Sequence, residues 1–113
     1  MSRRKPGTKK AEPFEVRWTE RALRDLRDIG DYISKDSPAA AERWVETLLA
    51  AVEAAAATPM AGRIVPELRR DDVREVLRKT YRLVYSVRGQ TLEVLTVFEG
   101  HRLFPRDIAP DES

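Results

Sequence analysis

The chain of 113 residues contains no cysteine and a single histidine, and both shortages exclude whole kinds of site. Without thiols it can form neither a disulfide framework nor a thiolate metal centre. The lack of cysteine fits a reducing compartment. We therefore expect a cytoplasmic protein that uses no metal and no other cofactor.

Long apolar runs are also missing. No apolar stretch approaches the roughly 18 residues that a membrane-spanning helix requires. The basic N-terminus is not followed by the apolar segment of a secretory signal. We expect a single domain with a modest core and no association with a membrane.

Charge is unevenly distributed, although the formal net charge is only +2. Residues 1–10 carry five basic and no acidic side chains, and we predict a disordered basic arm over residues 1–12. Residues 14–59 carry six basic and nine acidic side chains, whereas residues 60–104 carry nine basic and six acidic ones. The second half therefore suits an acidic partner such as RNA, DNA or an acidic protein segment. A solvated surface of mixed sign explains the same counts.

The first half predicts a strand followed by two helices. Residues 14–18 alternate apolar and polar side chains, which is the period of a half-buried strand. Thr19 is a suitable N-cap for a helix over residues 20–34, and Ser37 for a second helix over residues 38–57. Because the link between them is short, the helices are expected to pack as an antiparallel hairpin.

The second half predicts three strands joined by tight turns. Residues 73–78, 81–87 and 91–98 are rich in β-branched and aromatic side chains, and turn-forming residues separate them. The predicted fold is therefore α+β, with an N-terminal strand and an antiparallel helical hairpin packed on an antiparallel sheet. The domain is expected to cover residues 13–104, and a polar acidic tail to follow over residues 105–113.

Three stretches of the second half carry a family resemblance. They are Gly62-Arg63-Ile64-Val65-Pro66-Glu67, Tyr81-Arg82-Leu83-Val84-Tyr85 and Leu95-Thr96-Val97-Phe98-Glu99-Gly100-His101-Arg102. With the order of the predicted elements, they make residues 14–104 resemble the RelE/ParE family, the toxins of bacterial type II toxin–antitoxin modules, also called plasmid stabilisation system proteins. The resemblance implies one of two activities. RelE-like members cut mRNA in the ribosomal A site without a metal, and ParE-like members inhibit DNA gyrase without hydrolytic chemistry.

Metal-independent RNA cleavage needs a proton acceptor, a proton donor and cations beside the phosphorane oxygens. If the chain is a ribonuclease, the resemblance implies that five residues carry this chemistry: Arg63, Glu67, Arg82, His101 and Arg102.

The arginine near the start of the strand predicted over residues 81–87 has a structural alternative. A charge within an apolar strand is costly to bury unpaired, so Arg82 either faces a groove or pairs with a carboxylate such as Glu75. In the family, an arginine at a similar position contacts phosphate in the mRNA-cleaving members. Pairing and phosphate contact are equally compatible with the sequence.

The other candidates have structural alternatives as well, which we prefer. Arg63 and Glu67 lie in a loop where Gly62 permits an unusual backbone angle, and pairs between Glu67 and Arg63 or Arg74 would tie this loop to the sheet. His101 could act as a general acid or base, since its ordinary pKa lies near neutrality. It is also explained as an exposed histidine in a polar turn.

One departure from the mRNA-cleaving pattern favours the ParE-like side: the lysine-bearing catalytic positions of those enzymes have no counterpart. The chain also departs from the ParE-like pattern, because Glu99 and His101 stand where ParE-like chains carry the His and Arg of a terminal His-Gly-Arg, and this argues against a carried-over role for either residue. We expect a toxin that inhibits DNA gyrase and is neutralised by a cognate antitoxin lying along the sheet and the hairpin. Operator DNA would be contacted only through that antitoxin. The alternatives are a ribosome-dependent mRNA endoribonuclease and a non-toxic co-repressor that binds the antitoxin.

Overall fold

The computed structural model describes residues 12–108, so most of the predicted basic arm and the end of the predicted tail lie outside it. The elements in chain order are β1 (Glu15–Trp18), α1 (Glu20–Ser34), α2 (Pro38–Ala57), a short 3-10 turn (Pro59–Ala61), β2 (Arg63–Ile64), β3 (Val73–Arg78), β4 (Tyr81–Arg88) and β5 (Thr91–Glu99). The predicted α+β class is confirmed. No helix in the described part of the chain is long and apolar enough to cross a membrane.

Both helices begin at the residues that the sequence predicts. The Thr19 hydroxyl accepts a hydrogen bond of 3.0 Å from the N–H of Ala22, and the Ser37 hydroxyl accepts one of 3.1 Å from the N–H of Ala40. Each bond satisfies an N–H group that the first turn of a helix leaves without a partner. Pro38 follows its cap directly and has no N–H to satisfy.

The five strands lie in the order β1-β5-β4-β3-β2. As predicted, β3, β4 and β5 form an antiparallel meander. The N-terminal strand β1 joins this sheet parallel to β5, so the sheet is mixed and not antiparallel throughout. A parallel pair needs a long crossover connection, and the helical hairpin and the meander together provide it.

The two faces of the sheet bury different sets of side chains. Both helices cover one face, where Trp44 and Leu48 pack with Leu83 and Tyr85. The opposite face is covered by the segments that precede β3 and follow β5, with these buried residues: Val65, Val73, Val84, Leu95, Phe98 and Ile108. Successive residues of β4 therefore face opposite sides, with Leu83 and Tyr85 toward the helices and Val84 away from them. The buried chain continues to Ile108, four residues beyond the boundary predicted at 104.

The second half of β5 extends past the short strand β1. There, side chains at the start of α1 bond to its backbone. A register shift leaves Leu95 as an extra residue between the pairs Val84–Thr96 and Tyr85–Val94. Beside this bulge, the Asp25 carboxylate accepts hydrogen bonds from the Thr96 hydroxyl and from the N–H of Val97. The Thr19 hydroxyl lies 3.2 Å and 3.1 Å from the carbonyl oxygens of Val94 and Leu95. Side chains of α1 thus take the place of a neighbouring strand.

Replacing either of two glycines by alanine should change the free energy of unfolding, in opposite directions at the two positions. A Cβ at Gly30, in the interior of α1, would meet only Val45, at 3.9 Å. Gly30→Ala should raise the free energy of unfolding by roughly 0.5–1 kcal/mol, since glycine disfavours helix interiors. Gly89 has a φ of +54°, so Gly89→Ala should lower it by roughly 1 kcal/mol. Urea unfolding measures both, and a shift in the same direction would contradict this account.

Candidate functional site

Arg82 is the centre of an ion-pair network on the sheet face that the helices leave open. It lies on β4 between the half-buried Tyr81 and the buried Leu83, and only 8% of Arg82 itself is exposed. Its Nε donates to Glu75 over 2.7 Å. Its two terminal nitrogens donate to the two carboxylate oxygens of Glu67 over 3.0 Å and 2.8 Å. Every nitrogen of this guanidinium therefore has a carboxylate partner, as the alternative of pairing with a carboxylate such as Glu75 predicts.

Glu75 joins a second arginine to the same network. The pairing of β2 with β3 places Arg63 directly opposite Glu75. The Nε of Arg63 donates to Oε2 of Glu75 over 2.7 Å, while Arg82 occupies Oε1. The side chain of Glu75 is fully buried, whereas that of Arg63 is 57% exposed. Each oxygen of the buried carboxylate thus receives one charged donor, which is the condition for burying such a group.

Two aromatic rings hold the Arg82 guanidinium. Its central carbon lies 5.1 Å from the ring centroid of Phe98 and 5.4 Å from that of Phe104. Both distances are within the range of a cation–π interaction. Phe98 belongs to β5 and Phe104 to the segment that follows it, so the C-terminal part of the domain fixes the arginine from the other side.

The loop before β3 is anchored, but not by the pairs that the sequence suggested. Glu67 pairs with Arg82, and Arg63 pairs with Glu75. Arg74 instead donates to the carbonyl oxygens of Met60 and Gly62 over 3.1 Å and 3.0 Å. The preferred structural role of this loop is therefore supported, with different partners.

Gly62 is needed for space and not for an unusual backbone angle. Its φ is −68°, which any residue adopts. A Cβ at this position would collide with the hydroxyl of Tyr85 and would lie 3.1 Å from the carbonyl oxygen of Glu75. The Tyr85 hydroxyl donates a hydrogen bond of 2.6 Å to the carbonyl of Pro59, so it has little freedom to withdraw.

The five predicted site residues fall into two groups. Arg63, Glu67 and Arg82 are brought together by the network. His101 lies in the turn after β5, is exposed, and makes no side-chain hydrogen bond or ion pair within residues 12–108. Arg102 lines a cleft between α1 and the end of β5, which Phe98 also lines. Neither of these two side chains is bonded to the network.

Glu75, Phe98 and Phe104 belong to the network but were not among the predicted site residues. The strand period did offer a signal for Glu75, because it places this residue on the same face as the inward-facing Val73. Phe104 follows a turn, and no sequence period indicates what it packs on. Among the described residues, no cluster of three or more carboxylate or imidazole groups is arranged to hold a metal ion.

The network shifts the pKa of Glu67 and that of Arg82 in the directions that keep both groups charged. The hydrogen bonds from Arg82 lower the pKa of Glu67 below its ordinary value of 4.5. The hydrogen bonds to Glu67, and next those to Glu75, raise the pKa of Arg82. Both effects follow from placing opposite charges in direct contact.

A helical hairpin packed on one face of a five-stranded mixed sheet is the fold of the RelE/ParE class of small α+β proteins. The chain belongs to the ParE toxin family, because the family described as "ParE toxin of type II toxin-antitoxin system, parDE" matches residues 16–104. It is accordingly a toxin of a type II toxin–antitoxin system.

Individual relatives agree with this assignment. The chain is 40% identical over 93 residues to "Putative toxin Y4kP" of Sinorhizobium fredii, which covers 80% of the chain and 93% of that protein. It is 34% identical over 89 residues to "Toxin RelE2" of Caulobacter vibrioides, covering 79% and 98%. The solved chromosomal ParDE TA system from P. aeruginosa has a similar fold, with a TM-score of 0.63, 22% identity, and coverage of 79% of this chain and 98% of that one.

Removing Arg82 should cost much more stability than removing an exposed arginine. Arg82→Ala leaves Glu67 without its partner and half of the buried Glu75 carboxylate unpaired, so the free energy of unfolding should fall by about 3–5 kcal/mol. Arg17→Ala is the control, since Arg17 and Glu15 form an exposed pair at 3.8 Å. That variant should lose at most about 1 kcal/mol. Equal losses in chemical denaturation would contradict the importance of the network.

The stability of the protein should also depend on pH, because the Glu67 carboxylate is protonated in acid. Because its pKa is lower in the folded than in the unfolded protein, its contribution is complete above the ordinary value of 4.5 and is lost as the pH falls through the folded-state value. In thermal unfolding from pH 7 to pH 2.5, Glu67→Gln should reduce the difference between neutral and acidic conditions. Parallel profiles for the variant and the wild type would show that Glu67 does not contribute.

Proposed function

We propose that this toxin arrests growth in the cytoplasm by binding and inhibiting DNA gyrase, and that it does not cut mRNA. The observation that carries the proposal is the pairing and burial of Arg82. All three guanidinium nitrogens donate to Glu67 or Glu75, and only 8% of the residue is exposed, so its charge is engaged inside the protein and little of it is accessible to a phosphate. An arginine that stabilises a phosphorane must have donors available for its oxygens.

The remaining parts of a ribonuclease are also unfavourable here. Glu67 has a lowered pKa, and a carboxylate with a lower pKa is a weaker general base. His101 and Arg102 are not joined to the network, although proton transfer at the scissile phosphate requires groups within hydrogen-bonding reach of the same atoms. A toxin that acts by binding needs none of these groups to converge.

The regulation that we propose follows the toxin–antitoxin arrangement. A cognate antitoxin would bind the toxin and keep it inactive, and only the antitoxin would carry the complex to operator DNA. The name of the solved ParDE system from P. aeruginosa supports an antitoxin as the partner of such a fold.

The proposal is tested by comparing the wild type with His101→Ala and Arg102→Ala. All three purified proteins should inhibit DNA supercoiling by gyrase to the same extent, because neither side chain is bonded to the network or needed for its stability. In cells, all three should arrest growth with a DNA-damage response, and mapping of mRNA 5′ ends should find no new cuts.

Two results would overturn this function. Cuts placed at codon positions on ribosome-bound mRNA, lost in His101→Ala or Arg102→Ala, would identify a ribonuclease. Expression without growth arrest, with binding of the antitoxin intact, would identify a non-toxic co-repressor.

A further inference from the structure

One face of α2 is exposed in the described part of the chain. Four of its residues follow one another at helical spacing and therefore form a single stripe: Glu42, Glu46, Leu49 and Glu53. Leu49 is 44% exposed, although it is a large apolar residue. The three carboxylates form no ion pair and no side-chain hydrogen bond within residues 12–108. Arg43 is the only basic residue of α2 and lies outside the stripe.

The chain enters the domain beside this stripe. The N–H of Phe14 donates to the carbonyl oxygen of Ala56 over 3.0 Å, which ties the start of the domain to the last turns of α2. No basic side chain lies in the last turn of α2, so the helix itself does not offset the negative end of its dipole. Residues that precede Phe14 therefore begin near the Glu53 end of the stripe.

The charge of these preceding residues is opposite to that of the stripe. The N-terminal basic segment, residues 1–10, carries five basic side chains and no acidic one. The whole chain has 21 basic and 19 acidic side chains, so its formal net charge of +2 would be negative without this segment. The segment contains no aromatic residue and no large apolar residue after Met1. Its chemistry is therefore that of a cation that seeks carboxylates or phosphates.

The dimensions of the segment match those of the stripe. From residue 42 to residue 53, α2 rises by about 16 Å at 1.5 Å per residue. The basic residues of the segment form two clusters, at 3–5 and at 9–10, and the distance between the two clusters is at most roughly 20 Å in an extended chain. Pro6 lies between the clusters, as Leu49 lies between the carboxylates. The order of charged and uncharged positions is thus the same in both.

We propose that the N-terminal basic segment binds along this stripe of α2 in the same molecule, with Pro6 beside Leu49 and the basic clusters beside the carboxylates. The segment precedes residue 16, where the match to the ParE toxin family begins, and the inference does not depend on gyrase as the target. The segment is then a cover for one face of the hairpin that is held by charge. A partner that binds this face must displace it.

A spin label at the end of the segment tests this contact in the full chain. Because the chain has no cysteine, Ser2→Cys provides a single site for a nitroxide. At low ionic strength, the nitroxide should remove most of the NMR signal of the amides of residues 42–53, relative to the same protein after reduction of the label. The amides of Glu67 and Leu68, on the other face of the sheet, should keep their signals. In 1 M salt the Debye length is about 3 Å, so the signals of α2 should return.

Charge variants provide matched controls. Glu46→Lys combined with Glu53→Lys should restore the signals of α2 at low ionic strength, because the attraction is replaced by repulsion. Glu20→Lys combined with Asp28→Lys changes the net charge by the same amount at exposed positions of α1. In this control the loss of signal should persist. Restored signals in both pairs would show that net charge alone is responsible and would contradict the inference.

A further variant leaves the described domain unchanged, so it cannot act through misfolding of α2. It replaces all five basic residues of the segment by glutamine. The signals of α2 should then keep their intensity at low ionic strength as well as in high salt. A loss of signal that persists in this variant would show that charge does not hold the contact, and the inference would be wrong.

Three other results would overturn the inference. Full signals from α2 in the labelled wild type at low ionic strength would show that the segment does not bind there. Loss of signal in isotope-enriched, unlabelled toxin mixed with spin-labelled toxin would assign the contact to a second copy of this chain. Immobilisation of the label by added duplex DNA, with the signals of α2 unaffected throughout, would assign the segment to nucleic acid. None of these readouts uses gyrase, so this contact and the proposed gyrase inhibition can fail separately.

Discussion

The outer half of the sheet depends on one buried carboxylate, that of Glu75. Its two oxygens are each bonded to a different arginine, and those arginines come from the strands on either side of β3. A carboxylate without solvent is tolerated only when its charge is matched in this way. Displacing β2 would remove Arg63, and displacing β4 would remove Arg82. The strand β2 has only two residues. It is therefore held in place mainly by the ion pair between Arg63 and Glu75, and only in part by its backbone hydrogen bonds to β3.

The sheet face that carries this network and the helical hairpin have different roles: the first stabilises the fold, and the second is available for recognition. On the sheet face away from the helices, Arg82 is committed to internal partners, and Phe98 and Phe104 enclose it. The helical hairpin has the opposite character, since the large apolar side chains of Leu23 and Leu49 are exposed on it. Arg82 thus contributes to the stability of the domain, and the side chains that are exposed for recognition by another protein are less reactive ones.

Much of this fold follows from local patterns in the sequence. The caps at Thr19 and Ser37 and the strand over residues 81–87 depend on near neighbours, so they could be predicted. The pairing of Arg82 with Glu75 was foreseen as one alternative, because a buried arginine needs a carboxylate. The partner of Glu67 could not be chosen, since it depends on how the loop lies over the sheet. Phe104 and Ile108 were missed for a similar reason: nothing local marks them as the cover of the second face.

The hydrogen bonds that Thr19 and α1 form with the backbone of β5 affect how readily the protein aggregates in a crowded cell. An unpaired strand edge offers its N–H and carbonyl groups to any extended chain nearby, and this is a common route to fibrils. Here the carboxylate of Asp25 and the hydroxyl of Thr19 occupy those groups next to the bulge at Leu95. Along this edge, newly synthesised toxin that has not yet bound a partner is therefore protected from pairing with strands of neighbouring molecules.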